Sequence, residues 1–305
     1  MALISVVIPS YNHRRYIAGA IRSVLDSDYE SVELIVIDDG STDGSSSLIR
    51  EVIADHRGRR IVFAEQSNAG AHLAIMRGLS RAKGNVLTIL NSDDLYDVDR
   101  LSIIMRAMPK AGDFMAFTQV RYIDDAGEPL APESDHRKWY AKVLLEAAEC
   151  PTAGYGLLRN NFSVTSGNLV FTRSLYEQVG GFREFKLCHD WDFLIRALHF
   201  VEPIYLPKVL MSYRVHNANT VNSVLHLFLK EGVPSLNSFI ALGLKEVPPN
   251  PSAPGWAHWP DYFDYFISRY PSWFSDQPIR TFLKFSPNDR SPFAAGEAQD
   301  KGAQP

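Results

Sequence analysis

Over roughly the first 90 residues the chain alternates between two hydrophobic patterns. "LISVVIP" (3–9), "ELIVIDDGS" (33–41), "RIVFAE" (60–65) and "NVLTIL" (85–90) carry short apolar runs of buried-strand type. Between them, residues 16–27, 42–56 and 70–84 have helical spacing. In the first of these, Ile17, Ala20, Ile21, Val24 and Leu25 fall on one face. In the second, Asp43 or Ser45 is available as a cap. Strands buried on both faces and alternating with helices make βαβ units, so the expected fold is α/β, a mostly parallel sheet flanked by helices.

Ligands of such sheets lie beyond the carboxyl ends of the strands. The residues there are Pro9, Ser10, Tyr11 and Asn12; Asp38, Asp39, Gly40 and Ser41; Gln66, Ser67 and Asn68; and Asn91, Ser92, Asp93 and Asp94. Two of these four clusters hold adjacent aspartates, which repel each other and are costly to desolvate. A Mg²⁺ or Mn²⁺ ion shared with substrate phosphates would offset the repulsion between Asp93 and Asp94, and would neutralise a departing diphosphate. Asp38 and Asp39 suit the donor edge of a base or the hydroxyls of a ribose.

The net charge of −4 gives no global attraction to nucleic acid or to anionic lipid, so nucleic acid is not an expected partner. No apolar run reaches the ~20 residues of a membrane span. The start reads as a strand, not as a signal peptide. Cys150 and Cys188 are in no metal-type spacing and suit a reducing compartment. A cytoplasmic protein is expected.

Further along, 113–131 reads as a strand and a hairpin turning at "DDAGE", 137–149 as a helix, and 164–184 as a turn, a strand and a helix ended by Gly180-Gly181. A helix over 189–200 and a strand within 203–220 follow. After Asn222 the character shifts: 224–247 reads as helical, 248–255 is proline-rich, and 256–274 is dense in aromatic residues. Those aromatics suit packing over the sheet as core, an acceptor platform, or a peripheral contact at the inner face of a membrane. Residues 291–305 have the composition of a disordered tail.

Taken in order, "VVIPSYNHRRYIAGAIRSVL", "ELIVIDDGSTDGS", "NAGAHLAIMRGLSRAKGNVLTILNSDD", "GNLVFTRSLYEQVGGF", "HDWDFLIR" and "YRVHNANT" resemble the family-2 glycosyltransferases of the GT-A fold, over roughly residues 3–220. The resemblance implies an inverting, metal-assisted transfer of a sugar from a UDP- or dTDP-linked donor to a glycan or lipid-linked acceptor. It implies a catalytic domain over 1–221, with 222–290 as a helical, aromatic-rich extension.

By the same resemblance Pro9, Tyr11 and Asn12 form the first nucleotide-binding loop, and Asp39, beside Asp38, contacts the base. Asn68 and Gly70 lie against the nucleotide; Arg77 and Lys83 could reach phosphate. "NSDD" stands in the place of an Asp-X-Asp motif, with Asp93 and then Asp94 as metal ligands and His216 as a further one. Asn91 departs from the usual aspartate; its amide keeps an acceptor oxygen for a ribose hydroxyl but brings no charge. Ser166, Gly167, Asn168, His189 and Trp191 are expected to line the sugar or acceptor pocket.

Asp190 and Asp192 both qualify as the base that takes the acceptor's proton. Two residues apart on a helix, they point about 200° apart and cannot share the role. Asp192 has Arg196 four residues on, a natural surface pair, while Asp190 sits at the helix entry and matches the family's base, so the resemblance gives that role to Asp190. Two other readings stand beside this one. A nucleotidyltransferase would be expected to carry a glycine-rich loop after the first strand, which "PSYNHRR" lacks. A catalytically silent nucleotide-sugar-binding or scaffold protein draws its support from Asn91.

Overall fold

The computed structural model describes residues 1–56, 58–217, 219 and 224–269. Eight strands form one sheet: β1 (Ile4–Ser10), β2 (Val32–Asp38), β3 (Arg60–Glu65), β4 (Val86–Ile89), β5 (Leu95–Tyr96), β6 (Met115–Ile123), β7 (Val170–Thr172) and β8 (Ile204–Arg214), in the order β3-β2-β1-β4-β7-β6-β8-β5. The first four strands in that order are parallel, as the alternating pattern predicts. Beyond β4 the sheet is mixed, because β7 runs antiparallel to both β4 and β6, and β5 antiparallel to β8. Only β6 and β8 are parallel on that side.

Helices α1 (Ile17–Leu25), α2 (Ser45–Ala54) and α3 (Ala71–Arg81) connect the parallel strands. α1 buries the five residues that its spacing selects. The Asp43 carboxylate, one residue before the α2 cap position, accepts from the Ser45 N–H at 2.9 Å. α3 sits hard against β1, since a Cβ on Gly78 would lie 2.3 Å from Val7 Cγ1; only glycine permits that approach.

Two helices carry no strong periodic signal and were not expected: α4 (Arg100–Ala107) and α6 (Ala153–Arg159). Each is about two turns long, too short to display a full amphipathic repeat. The remaining helices are α5 (Asp135–Ala148), α7 (Arg173–Val179), α8 (His189–Ala197), α9 (Phe228–Lys245) and α10 (Pro260–Arg269). α7 ends at Gly180, which adopts the left-handed conformation.

The described part of the aromatic segment, 256–269, packs as core apart from the exposed Tyr265. Trp256, Phe263 and Phe266 are buried in the same hydrophobic cluster as the sheet, and the Tyr155 ring meets Tyr262 and Phe266 edge-on at 4.8 and 5.3 Å. α9 covers α8, with Phe228 stacked on Trp191. Residues 270–305, including the expected tail, lie outside the described residues. Among the described residues no helix is long and apolar enough to cross a membrane.

Candidate functional site

The ends of β1, β2, β4 and β8 converge on one polar rim. The loop after β1 is tied to the loop after β2 through Asn12. Its backbone is left-handed (φ 52°), a conformation asparagine tolerates better than most residues. The Asn12 N–H donates to Ser41 Oγ at 2.9 Å, and its Oδ1 accepts from the Thr42 N–H at 2.8 Å. The Arg14 N–H donates to Asp43. These contacts present His13, Arg14, Arg15 and Tyr16 along a cleft of about 520 Å³, with Asp43 and His216 on its other walls. Tyr11 projects outward, 45% exposed, and Pro9 lies within β1.

Asp38 and Asp39 are both buried. Asp38 accepts from the Ser41 N–H through one oxygen, while its Oδ2 has no partner, and neither has the Oγ of its register neighbour Ser10. Asp39 takes Gln66 Nε2 and the Ala69 N–H on Oδ1 and the Gly70 N–H on Oδ2, at 2.7–2.9 Å. It thereby holds the loop of Asn68 and Gly70 against the rim. Gln66 is held in turn by Arg77 at 3.0 Å, so that side chain is taken. Lys83 lies at the opposite end of the sheet, its N–H bonded to Glu33.

The paired aspartates of "NSDD" have separate fates. Asp94 is wholly buried and accepts from the Arg214 N–H at 2.8 Å and from Asn91 Nδ2 at 3.1 Å. Burial, reinforced by the Asp93 charge, pushes its carboxyl well above the ordinary carboxylate range. Asp93 faces the other way, 3.0 Å from His216 Nε2, with Asn219 Nδ2 at 3.4 Å. The Arg214 guanidinium fixes the turn by donating to the Asp93 carbonyl at 2.8 Å.

An amide is therefore what this packing needs at position 91. Asn91 Nδ2 also donates to Thr165 Oγ1 at 2.7 Å, and a carboxylate would lose both donated bonds and add a third acidic group beside Asp93 and Asp94. Asn91→Asp is expected to cost about 1–3 kcal/mol of stability. A urea midpoint equal to that of the parent would refute this.

One ligand atom from each of His13, Asp93 and His216 lies within 4.8 Å of the others. Burial lowers the His13 pKa, against the opposing pull of the Asp93 charge. Asp94, expected as a ligand, stands outside this group because its oxygens face Arg214 and Asn91.

Asp190 opens α8 and is buried; its Oδ1 accepts from the Trp191 N–H at 2.7 Å. Desolvation raises its pKa. Its charge, with those of Asp94 and Asp93, adds to burial in pushing the Tyr213 phenol upward. Asp192 does pair with Arg196, but in the interior and not at the surface: Asp192 is 0% exposed and bonded at 2.9 and 2.6 Å to Arg196 Nε and Nη2. Arg183 adds a contact at 3.2 Å.

A family model, "Glycosyl transferase family 2", matches residues 5–180. The chain belongs to this family. An uncharacterized glycosyltransferase of Rickettsia typhi is 29% identical over 228 residues, 73% of this chain and 67% of that protein. The putative teichuronic acid biosynthesis glycosyltransferase TuaG of Bacillus subtilis is 35% identical over 137 residues, 43% of this chain and 54% of its own. Among solved structures, S. aureus TarS in complex with UDP-GlcNAc superposes with a TM-score of 0.61 at 17% identity, covering 93% of this chain and 76% of that one. Mannosyltransferase PcManGT from Pyrobaculum calidifontis, in complex with GDP-Man and Mn²⁺, gives 0.56 at 19%, covering 92% and 78%. The fold is that of the GT-A glycosyltransferases.

Two residues expected in the pocket of this glycosyltransferase lie in its interior instead. Asn168 is 0% exposed, and its amide is consumed by Arg100, Thr118 and the Ser163 carbonyl. Trp191 is buried, donating to the Leu157 carbonyl at 2.8 Å. Gly167 and Ser166 adjoin Asn91: a Cβ on Gly167 would lie 3.5 Å from the Asn91 nitrogen, and Ser166 Oγ is 3.4 Å from Asn91 Oδ1. His189 is buried with neither ring nitrogen bonded.

Sequence reasoning missed His13, Ser92, Gln66 and Tyr213. His13 and Ser92 meet across 79 positions at 2.8 Å, a pairing no local pattern announces. Gln66 and Ser92 stood among the strand-end residues, which was the one available signal.

Proposed function

We propose that the chain moves a sugar from a UDP- or dTDP-linked donor to a hydroxyl of a glycan or lipid-linked acceptor, with inversion at the anomeric carbon and a divalent cation, Mn²⁺ or Mg²⁺. The observation that carries the reading is the grouping of His13, Asp93 and His216 at the strand ends, with Asp190 near enough that its charge, like those of Asp94 and Asp93, acts on the Tyr213 phenol. The name of TuaG favours an envelope polysaccharide as the acceptor class.

The donor set fits a cation, because a carboxylate and two imidazole nitrogens lie close enough to converge on one ion. Asp93 and His216 would hold it, and when bound it would neutralise the leaving diphosphate. Asp39 Oδ2, which accepts only one hydrogen bond, keeps a lone pair for the base, and the unpartnered Asp38 Oδ2 offers a second acceptor. Pro9, Tyr11, Asn12, Asn68 and Gly70 bound the nucleotide. Asn91 Oδ1 serves a ribose hydroxyl. Asp190 takes the proton of the acceptor hydroxyl as that oxygen attacks the anomeric carbon from the face opposite the leaving group. His189, with Ser166 and Gly167, contacts the sugar or the acceptor. The bonds of Asn91 to Asp94 and Thr165 weigh against the silent-scaffold reading, because they give the amide a packing role.

Incubation with a panel of nucleotide sugars and Mn²⁺, with released nucleotide as the readout, tests the proposal; no turnover with any donor overturns it. Asp93→Ala should weaken metal-dependent nucleotide binding by more than the ~10–100-fold typical of losing a mere outer-shell partner. Titration calorimetry with UDP and Mn²⁺ checks this, and unchanged affinity would remove Asp93 from the metal site.

A further inference from the structure

We propose that His13 is a third protein ligand of the cation, so that the site favours a metal that accepts nitrogen donors, such as Mn²⁺, Co²⁺ or Zn²⁺, and discriminates against Mg²⁺, which narrows the Mn²⁺-or-Mg²⁺ choice above to Mn²⁺. The inference rests on the metal-dependent reading above and names the ligand that sets its metal preference.

Three observations converge. First, His13 contributes a ring nitrogen to the group with Asp93 and His216, whose ligand atoms lie within 4.8 Å of one another. Second, both imidazoles are held. His13 Nδ1 is 2.8 Å from Ser92 Oγ, which leaves Nε2 as the nitrogen for a metal. The His216 backbone N–H donates to Asn219 Oδ1 at 2.6 Å, its ring Nε2 lies 3.0 Å from Asp93 Oδ2, and the ring lies over Tyr16 at 4.9 Å. The two imidazoles meet edge to face at 5.6 Å. At His13 the hydrogen bond to Nδ1 is the usual device that orients a ligating histidine. Third, the oxygen donors that Mg²⁺ requires are few here: Asp94 is turned inward, and position 91 is an amide bonded to it. One carboxylate and two imidazoles suit zinc, cobalt or manganese, whereas Mg²⁺ prefers an all-oxygen octahedron.

His13 also has a mechanical role in this arrangement. It belongs to the loop after β1, which Arg15 and Tyr16 latch to Asp125 in the β6 hairpin. A metal bound by His13 would pin that loop to the β4 and β8 ends, beside the cleft that Asn12, His13 and His216 line.

The test uses the full chain without donor. Titration with Co²⁺, followed by its visible absorption and by calorimetry, should show one site whose occupancy a hundred-fold excess of Mg²⁺ does not reduce. His13→Ala should weaken Co²⁺ by at least ~10–100-fold and leave the circular dichroism spectrum unchanged. In the wild-type chain, with no substitution, a long-range ¹H–¹⁵N spectrum of the histidine rings should show two imidazoles shifted by Zn²⁺. Equal Co²⁺ affinity in His13→Ala, displacement by Mg²⁺, or a single shifted imidazole would overturn the role of His13 while the Asp93 site stood. Failure of the wild-type chain to bind Co²⁺, Mn²⁺ or Mg²⁺ would overturn the metal reading as well.

Discussion

Asp190→Asn is expected to slow sugar transfer by about 10²–10⁴-fold, the range for removal of a general base, while nucleotide binding is retained. The loss should fall on kcat, because the acceptor's proton is transferred only in the reacting complex. Burial raises the Asp190 pKa, so the parent's rate should fall as pH drops through a value above the ordinary carboxylate range. The variant should lack that limb. Stability should move the other way. A raised folded-state pKa means that the folded chain holds this proton more tightly than the unfolded chain does. The ionised carboxylate then costs stability as pH rises from the unfolded through the folded pKa. Asparagine removes that cost, so the variant should be at least as stable as the parent at neutral pH. Parallel kcat–pH profiles and urea melts decide the matter, and an unchanged kcat would remove Asp190 from the chemistry.

Two residues further on, Asp192→Ala should instead damage the fold, by about 3–5 kcal/mol, the usual cost of breaking a buried ion pair from one side. It strips the two-bond partner from Arg196, which stays buried against the Val179 and Gly181 carbonyls, and it removes the inner contact of Arg183. The urea midpoint should drop with an unchanged slope. A midpoint within experimental error of the parent would show that Arg196 finds solvent or another acceptor. Together the two variants separate a carboxylate that reacts from one that braces the helix carrying it.

The parallel half of the fold could be read from the chain because its signals are local. Apolar runs of strand length, the α1 stripe of Ile17, Ala20, Ile21, Val24 and Leu25, and the polar residues closing each run depend only on near neighbours. The same pattern placed the site at the strand ends, where Asp38, Asp39 and Asp93 do lie. It could not show that β7 reverses direction between β4 and β6, since a three-residue strand carries no record of its partner.

Residue types and their place on the rim were thus settled by the chain's own pattern, whereas the surroundings of each carboxylate were settled by donors that arrive from afar. Asp93 and Asp94 are chemically identical neighbours. One meets His216, and the other receives the Arg214 N–H from 120 positions away and turns inward. Asp190 and Asp192 differ in the same way, one beside Tyr213 and the acidic rim, the other locked to Arg196 and Arg183. A carboxylate becomes ligand, base or brace according to which hydrogen-bond donors and charges surround it, and only the folded chain brings those to it.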